Sequence, residues 1–334
     1  LRATFAFLIL VSDLPHDETR TAHFQSYGAW GTTEGASFLG RVVEGEAPSG
    51  RHRSNPWGKR GSTAGAFLRG DVDDAAIVVS DTATGMTMQW RTDDEGFYDV
   101  RLPGPLAPGR HTFRLELTGS AFQPPAIEIS LDVADASSEG LLAVVDIDDT
   151  LTETGVTAGA WDLVWTTVGR DAGDMRPFPG SKETLSALAA EGVPIFYVSA
   201  SPVELAPRLS QFLREQGFPE GPLVLRYWPT HGIRDPRPFK RRALDRLLAD
   251  FPMKKLVLFG DNGEHDPELF AEVAKNTGRV AAAYVRTTLK VEKDDPRYSG
   301  MVAFRDWREV ACDAGRRGLI RGTAAEAIAA AGTP

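Results

Sequence analysis

Two rhythms of apolar and polar residues divide this chain. From residue 21 to about 135 the period is two. Tyr98, Val100 and Leu102 alternate with polar or small neighbours, and so do Phe113, Leu115 and Leu117, and Ile127, Ile129, Leu131 and Val133. Such alternation marks strands with one buried face. Asp93-Asp94-Glu95-Gly96 and Pro108-Gly109 punctuate them as turns. Short strands of this kind predict a β-sandwich-like domain over residues 21–135. Asp71-Val72-Asp73-Asp74 reads as a loop within it, because no helical spacing follows.

A small, polar stretch at residues 136–140 reads as a linker, and the rhythm changes beyond it. Residues 141–145 are continuously apolar, as in a strand buried on both faces. Further apolar strands are predicted at 194–198, 223–225, 256–259 and 280–285. Helices are predicted between them at 181–191, capped by Ser181 and stopped by Gly192, and at 202–217, 239–249 and 267–275. Strands alternating with helices predict an α/β fold over 141–334, a Rossmann-like doubly wound parallel sheet. Ligands of such sheets bind beyond the carboxyl ends of the strands, so the residues there carry the functional reading.

Residues 1–20 hold a second, smaller puzzle. Arg2 followed by an apolar run at 5–11 fits the truncated end of a secretory signal, and equally a first buried strand. The first reading implies an exported protein, the second a cytoplasmic one.

Composition narrows the function classes. A length of 334 residues suits two domains, and 42% hydrophobic with 25% charged residues is the balance of a globular protein. No apolar run reaches the roughly 18 residues of a membrane span. A net charge of -9 disfavours nucleic acid as a partner. Arg237, Lys240, Arg241 and Arg242 form the one candidate basic patch. With Cys312 alone, no internal disulfide can form.

The chemistry clusters at the predicted strand ends. Asp146-Ile147-Asp148-Asp149-Thr150 follows the first apolar strand. Carboxylates at i and i+2 beyond a buried strand are costly unless a cation joins them. An EF-hand loop is excluded, because Leu151 stands where that loop needs glycine and its twelfth position is not Glu. Ser199-Ala200-Ser201-Pro202 follows the second strand, where hydroxyls and backbone N–H groups suit a phosphate; simple helix capping by Ser201 is the alternative. Gly260-Asp261-Asn262-Gly263-Glu264-His265-Asp266 follows the fourth, a second acidic cluster able to complete an oxygen-only Mg²⁺ site. Lys240, near the start of the preceding helix, can balance a carboxylate or phosphate, or lie solvated on the surface.

The ordered set Asp146-x-Asp148-x-Thr150, Ser199, Lys240 and Gly260-Asp261 to Asp266 resembles the haloacid dehalogenase-like phosphatase superfamily. Asp146-Ile-Asp-Asp-Thr, Tyr197-Val-Ser-Ala-Ser-Pro and Gly260-Asp-Asn-Gly-Glu-His-Asp-Pro-Glu resemble more closely the catalytic domain of the actin-patch phosphatidate phosphatases, and distantly the lipins. The resemblance covers residues 141–317. It implies that Asp146 attacks phosphorus and that Asp148 protonates the leaving oxygen and then activates water. It implies Mg²⁺ held by Asp146, the Asp148 carbonyl and Asp261 with support from Asp266, and a phosphoryl group held by Ser199 and Lys240. Asp149 is turned away by strand-end geometry, and Arg226, His231, Glu264, His265 and Arg286 read as structural or surface residues. Little or no cap fits between Asp148 and Ser199, around Trp161 and Trp165, or between Ser199 and Lys240. An uncapped site suits a large or membrane-borne substrate such as phosphatidate. A phosphoprotein, nucleotide or sugar phosphate is the alternative substrate; a binding module in the β domain is the alternative function.

Overall fold

The computed structural model describes residues 21–45, 70, 72–122, 124–152, 175–227, 235–263, 265–287 and 295–331. Residues 1–20, and with them the signal-or-strand question, lie outside the described residues, as do Asp71, Trp161, Trp165, His231 and Glu264.

Seven strands form the first sheet: β1 (Ala22–Thr32), β2 (Gly35–Glu44), β3 (Ala76–Asp81), β4 (Thr87–Arg91), β5 (Phe97–Pro103), β6 (Gly109–Thr118) and β7 (Ile127–Ala134). The alternation holds where it was read. In β5, Tyr98, Val100 and Leu102 are buried while Asp99 and Arg101 are exposed. The sandwich, however, is not found. All seven strands belong to one sheet, ordered β4-β3-β6-β7-β1-β2-β5, which curls into a near-closed barrel as β4 approaches β5. The join is a short parallel pairing of β1 with β7, Gly31 opposite Val133 and Thr32 opposite Ala134. Without that join the strands would fall into two sheets. Alternation reports one buried face per strand, and a sandwich and a curled sheet share that property. Phe38, Ile77, Val100, Phe113 and Leu115 fill the interior.

The second sheet has six parallel strands: β8 (Gly140–Val145), β9 (Ile195–Pro202), β10 (Leu223–Arg226), β11 (Lys254–Asp261), β12 (Val280–Arg286) and β13 (Val302–Phe304). Their order is β10-β9-β8-β11-β12-β13. The chain winds outward from β8 in both directions, the doubly wound order expected, with β8 at the switch point. The helices are α1 (Ser181–Ala190), α2 (Ala206–Glu215), α3 (Arg237–Asp250), α4 (Asp266–Thr277), α5 (Trp307–Arg316) and α6 (Gly322–Ala330). Apolar clusters lie on both faces of the sheet, one around Val145, Tyr197 and Trp307, the other around Val144, Phe196 and Leu247. Two local expectations change. Ser181 is not a cap: Gly180 takes the cap position in a left-handed conformation, and the Ser181 hydroxyl donates to the Phe178 carbonyl. Pro202 ends β9, and a single 3-10 turn, Val203–Leu205, separates it from α2. Among the described residues no helix is long and apolar enough to cross a membrane.

The barrel is keyed into the α/β region by Trp30. It leaves β1 and packs edge-on against Phe196, with ring centroids 5.6 Å apart. Its indole N–H donates to Asp250 Oδ2 at 2.8 Å, and the Arg246 guanidinium lies 4.7 Å above its ring. Arg246 also forks onto Asp99 of β5, at 2.6 and 2.8 Å. Nearby, a Cβ on Gly28 would stand 2.8 Å from the Pro222 side chain and 3.1 Å from its Cα, so β1 runs against the entry to β10 only because this residue is glycine. Truncating a buried Trp costs about 3–5 kcal/mol. Trp30→Ala is therefore expected to lower the unfolding free energy by about that amount in equilibrium urea denaturation. Trp30→Phe, which keeps the ring and loses the N–H, is expected to lose less.

Candidate functional site

Strand β8 is buried on both faces and delivers Asp146 at its carboxyl end; β11 ends on Asp261, and α4 begins on Asp266. The three carboxylates are buried, and one oxygen from each lies within 4.8 Å of the others. Lys240, in the first turn of α3, is buried between two of them: its Nζ lies 3.1 Å from Asp146 Oδ1 and 2.8 Å from Asp266 Oδ1. It is not a surface lysine. Asp266 reaches this position because Gly260 has no side chain; a Cβ there would lie 2.8 Å from the Asp266 Cβ. The Thr150 hydroxyl donates to Asp146 Oδ2 at 3.0 Å, so hydrogen-bond partners stand at both oxygens of Asp146.

Asp148 stands apart from the triad. Its Oδ2 accepts from Ser199 Oγ at 2.8 Å and Ser201 Oγ at 2.6 Å. The Ser201 backbone N–H in turn donates to Ser199 Oγ at 2.9 Å. Ser201 is thus no helix cap; both hydroxyls serve one carboxylate. Asp149 has φ 51, in the left-handed region, and its carbonyl accepts from Arg286 at 2.9 Å. The Arg286 guanidinium lies 3.5 Å over the Phe178 ring, which clamps the loop after β8 from outside. The Asn262 amide donates to the Tyr298 hydroxyl at 2.9 Å and holds the loop after β11.

Of the six site residues read from sequence, Asp146, Asp261, Asp266 and Lys240 converge, and Ser199 joins Asp148 beside them. Three supporting residues stood outside that set of six: Thr150, which is part of the motif, Ser201, the alternative cap, and Arg286, read as structural or surface. Arg286 comes from the end of β12 and holds the loop after β8. Three of the four residues of the basic patch are in ion pairs, while Arg242 is exposed: Arg237 meets Asp235, Arg241 meets Asp245 and Glu272, and Lys240 is in the site. At the rim, hydrogen bonds from Arg297 hold the Glu268 carboxyl below its ordinary range against the opposing effect of burial.

The donor set fits a hard divalent cation. All three donors are carboxylate oxygens, with no imidazole or thiolate, the oxygen-only set that hard divalent cations prefer. One ammonium among three carboxylates leaves this four-group cluster negative when ionised, which draws a cation.

Residues 141–287 match the family described as the phosphatidate phosphatase APP1 catalytic domain. A 199-residue stretch is 30% identical to phosphatidate phosphatase APP1 of Saccharomyces cerevisiae, covering 53% of this chain and 33% of that protein. A 139-residue stretch is 29% identical to an uncharacterized Schizosaccharomyces pombe protein, covering 40% of this chain and 23% of the other. The matches thus span a third or less of these relatives. Solved structures with some likeness include a HAD family hydrolase from Deinococcus radiodurans with bound phosphate and sodium. It is 15% identical, has a TM-score of 0.36, and the match covers 54% of this chain and 97% of that one.

A cation held by this triad must relieve the repulsion among its carboxylates and bind the folded state alone. Millimolar Mg²⁺ is expected to raise the melting temperature by several degrees, EDTA to reverse it, and Asp261→Asn to abolish most of the shift. Differential scanning fluorimetry checks all three.

Proposed function

Taking the resemblance of residues 141–287 to the APP1 catalytic domain as premise, we propose that this protein is a Mg²⁺-dependent phosphomonoester hydrolase whose substrate is phosphatidate. The observation that carries the reading is the pairing of Asp146, fixed between Lys240 and Thr150, with Asp148, fixed separately by two serines. Two carboxylates with different partners can take different roles, one as nucleophile and one as proton carrier.

Asp146, Asp261 and Asp266, with the Asp148 carbonyl, would hold the Mg²⁺. When bound, the ion neutralises charge on the phosphoryl oxygens and lets an anionic nucleophile approach. The Asp146 carboxylate then attacks phosphorus, the ester P–O bond breaks, and protonated Asp148 donates its proton to the departing alkoxide. The resulting phosphoryl group is bound to Asp146 through a mixed anhydride. Ionised Asp148 next takes a proton from water, whose oxygen attacks the same phosphorus, and the bond to Asp146 breaks. Inorganic phosphate and free Asp146 result. Lys240 offers its positive charge to the phosphoryl oxygens throughout, and Ser199 divides its hydroxyl between Asp148 and the phosphoryl group. Most of the rate comes from positioning and charge.

Asp146→Asn is expected to lower kcat by at least about 10³-fold and to remove any covalent phosphate. Asp148→Asn is expected to lose about 10²–10⁴-fold with an alkyl ester. An activated aryl ester needs no proton on departure, so with that substrate the same variant should load Asp146 and then stall. Intact-mass spectrometry reads this as one added phosphoryl group, stable to acid and lost in base. Normal turnover of alkyl esters by Asp148→Asn, or phosphate found on Ser199, would sink the assignment of roles.

A further inference from the structure

A cavity of about 360 Å³ lies between the barrel and the edge strand β10. The barrel contributes Tyr27, Phe97, Tyr98 and Trp90 to its wall; the α/β region contributes Leu225, Tyr227 and Val203. The aromatic wall is continuous across the boundary. The Tyr227 ring lies 4.4 Å from Phe97, and Phe97 lies 6.4 Å from Tyr27. Trp90 is 37% exposed, and only it and Met253 are exposed large hydrophobics among the described residues. The indole lines the rim of the cavity beside these rings.

The register of the sheet puts this cavity beside the chemistry. Leu225 pairs directly with Ser199 on the neighbouring strand. Parallel strands lie about 4.8 Å apart, and residues in register face the same side. Ser199 is the residue whose hydroxyl holds Asp148. Val203 follows Ser199 by four residues, and Tyr227 continues β10 at the carboxyl edge that bears Asp146 and Asp261. A ligand with its phosphate at Asp146 and a tail directed along β10 would lay that tail in the cavity.

Four polar side chains on the wall, Arg91, Thr92, Asp93 and Asp99, already have partners. Arg91 pairs with Asp74, Asp99 receives the Arg246 fork, and Asp93 Oδ1 accepts the backbone N–H groups of Glu95 and Phe97. Thr92 donates to the Val72 carbonyl and accepts from the Ala75 N–H. A sugar or peptide would need such groups, whereas a hydrocarbon needs none. The volume lies at the small end of ligand cavities, roughly 300–1,000 Å³, which suits one chain and not two.

We propose that this interdomain cavity binds one acyl chain of a phospholipid substrate, so that the barrel supplies half of the lipid site. The inference rests on the phosphomonoesterase reading above and adds to it a place for the tail. Its test uses the full chain and a series of monoacyl glycerol phosphates with four to twelve acyl carbons, kept below their micelle concentrations, with glycerol phosphate and an aryl phosphate alongside. The expected kcat/KM rises by up to about fourfold per methylene and then levels as the cavity fills. Leu39→Trp, which fills the cavity, and Trp90→Ala, which removes its rim, should each cut the ratio of long-chain to short-chain kcat/KM at least tenfold. A ratio within one preparation is independent of how much enzyme is folded. A wild-type profile flat in chain length overturns the proposal, as does an unchanged ratio in both variants. A preference for sugar phosphates that both variants abolish would make the cavity a sugar subsite and overturn it too. Failure of the underlying enzymatic reading looks different: no phosphate is released from any ester, the aryl phosphate included.

Discussion

Everything at the carboxyl edge of the second sheet is arranged around a single buried ammonium. Lys240 touches Asp146 and Asp266 where water is excluded, and each of the three groups would be prohibitive to bury alone. That requirement dictates much of the neighbourhood. Helix α3 must start close enough to bring Lys240 in on its first turn. Gly260 must lack a side chain so that Asp266 can come within reach. Thr150 must face back onto Asp146. The net negative charge left in the cluster suits it to a cation, which is a poor recipe for stability and a common one at functional sites.

The barrel and the α/β region meet through one large side chain and one absent one. Trp30 fills space among Phe196, Phe251 and Leu247, and Gly28 allows β1 to run against Pro222. Arg246 ties the two together by stacking on the indole and forking onto Asp99. These contacts surround the back of β9 and β10, the strands that carry Ser199 and Leu225. Motion of the barrel would therefore be felt by strands that bear the site.

How much of this was legible in the sequence follows from how local each feature is. The run at 141–145 with Asp146 and Asp148 behind it announces a strand end and its carboxylates within nine residues. The doubly wound order follows from alternating strands and helices, because few topologies accommodate them. Lys240 was readable as a candidate, but its burial depends on where α3 packs. The barrel was misread because its closure rests on β1 meeting β7, about a hundred residues apart, and period two is silent on that. Trp30 was not singled out, because its target, Phe196 to Phe251, lies far along the chain. Helix capping was the alternative for Ser201, whereas its hydroxyl is taken by Asp148.

The position of Trp30 also bears on synthesis. All seven barrel strands are complete once residue 134 has left the ribosome, and the sheet can then curl on its own interior. The surface that receives Trp30 needs Phe196 and Phe251, and the last of these is made about 120 residues later. At roughly 5–20 residues per second the interval is on the order of ten seconds. A barrel that closed during it would display an indole with nothing to cover it. The nascent chain would then carry a temporary sticky patch, a place for a chaperone to hold or for two neighbouring chains on one messenger to meet wrongly.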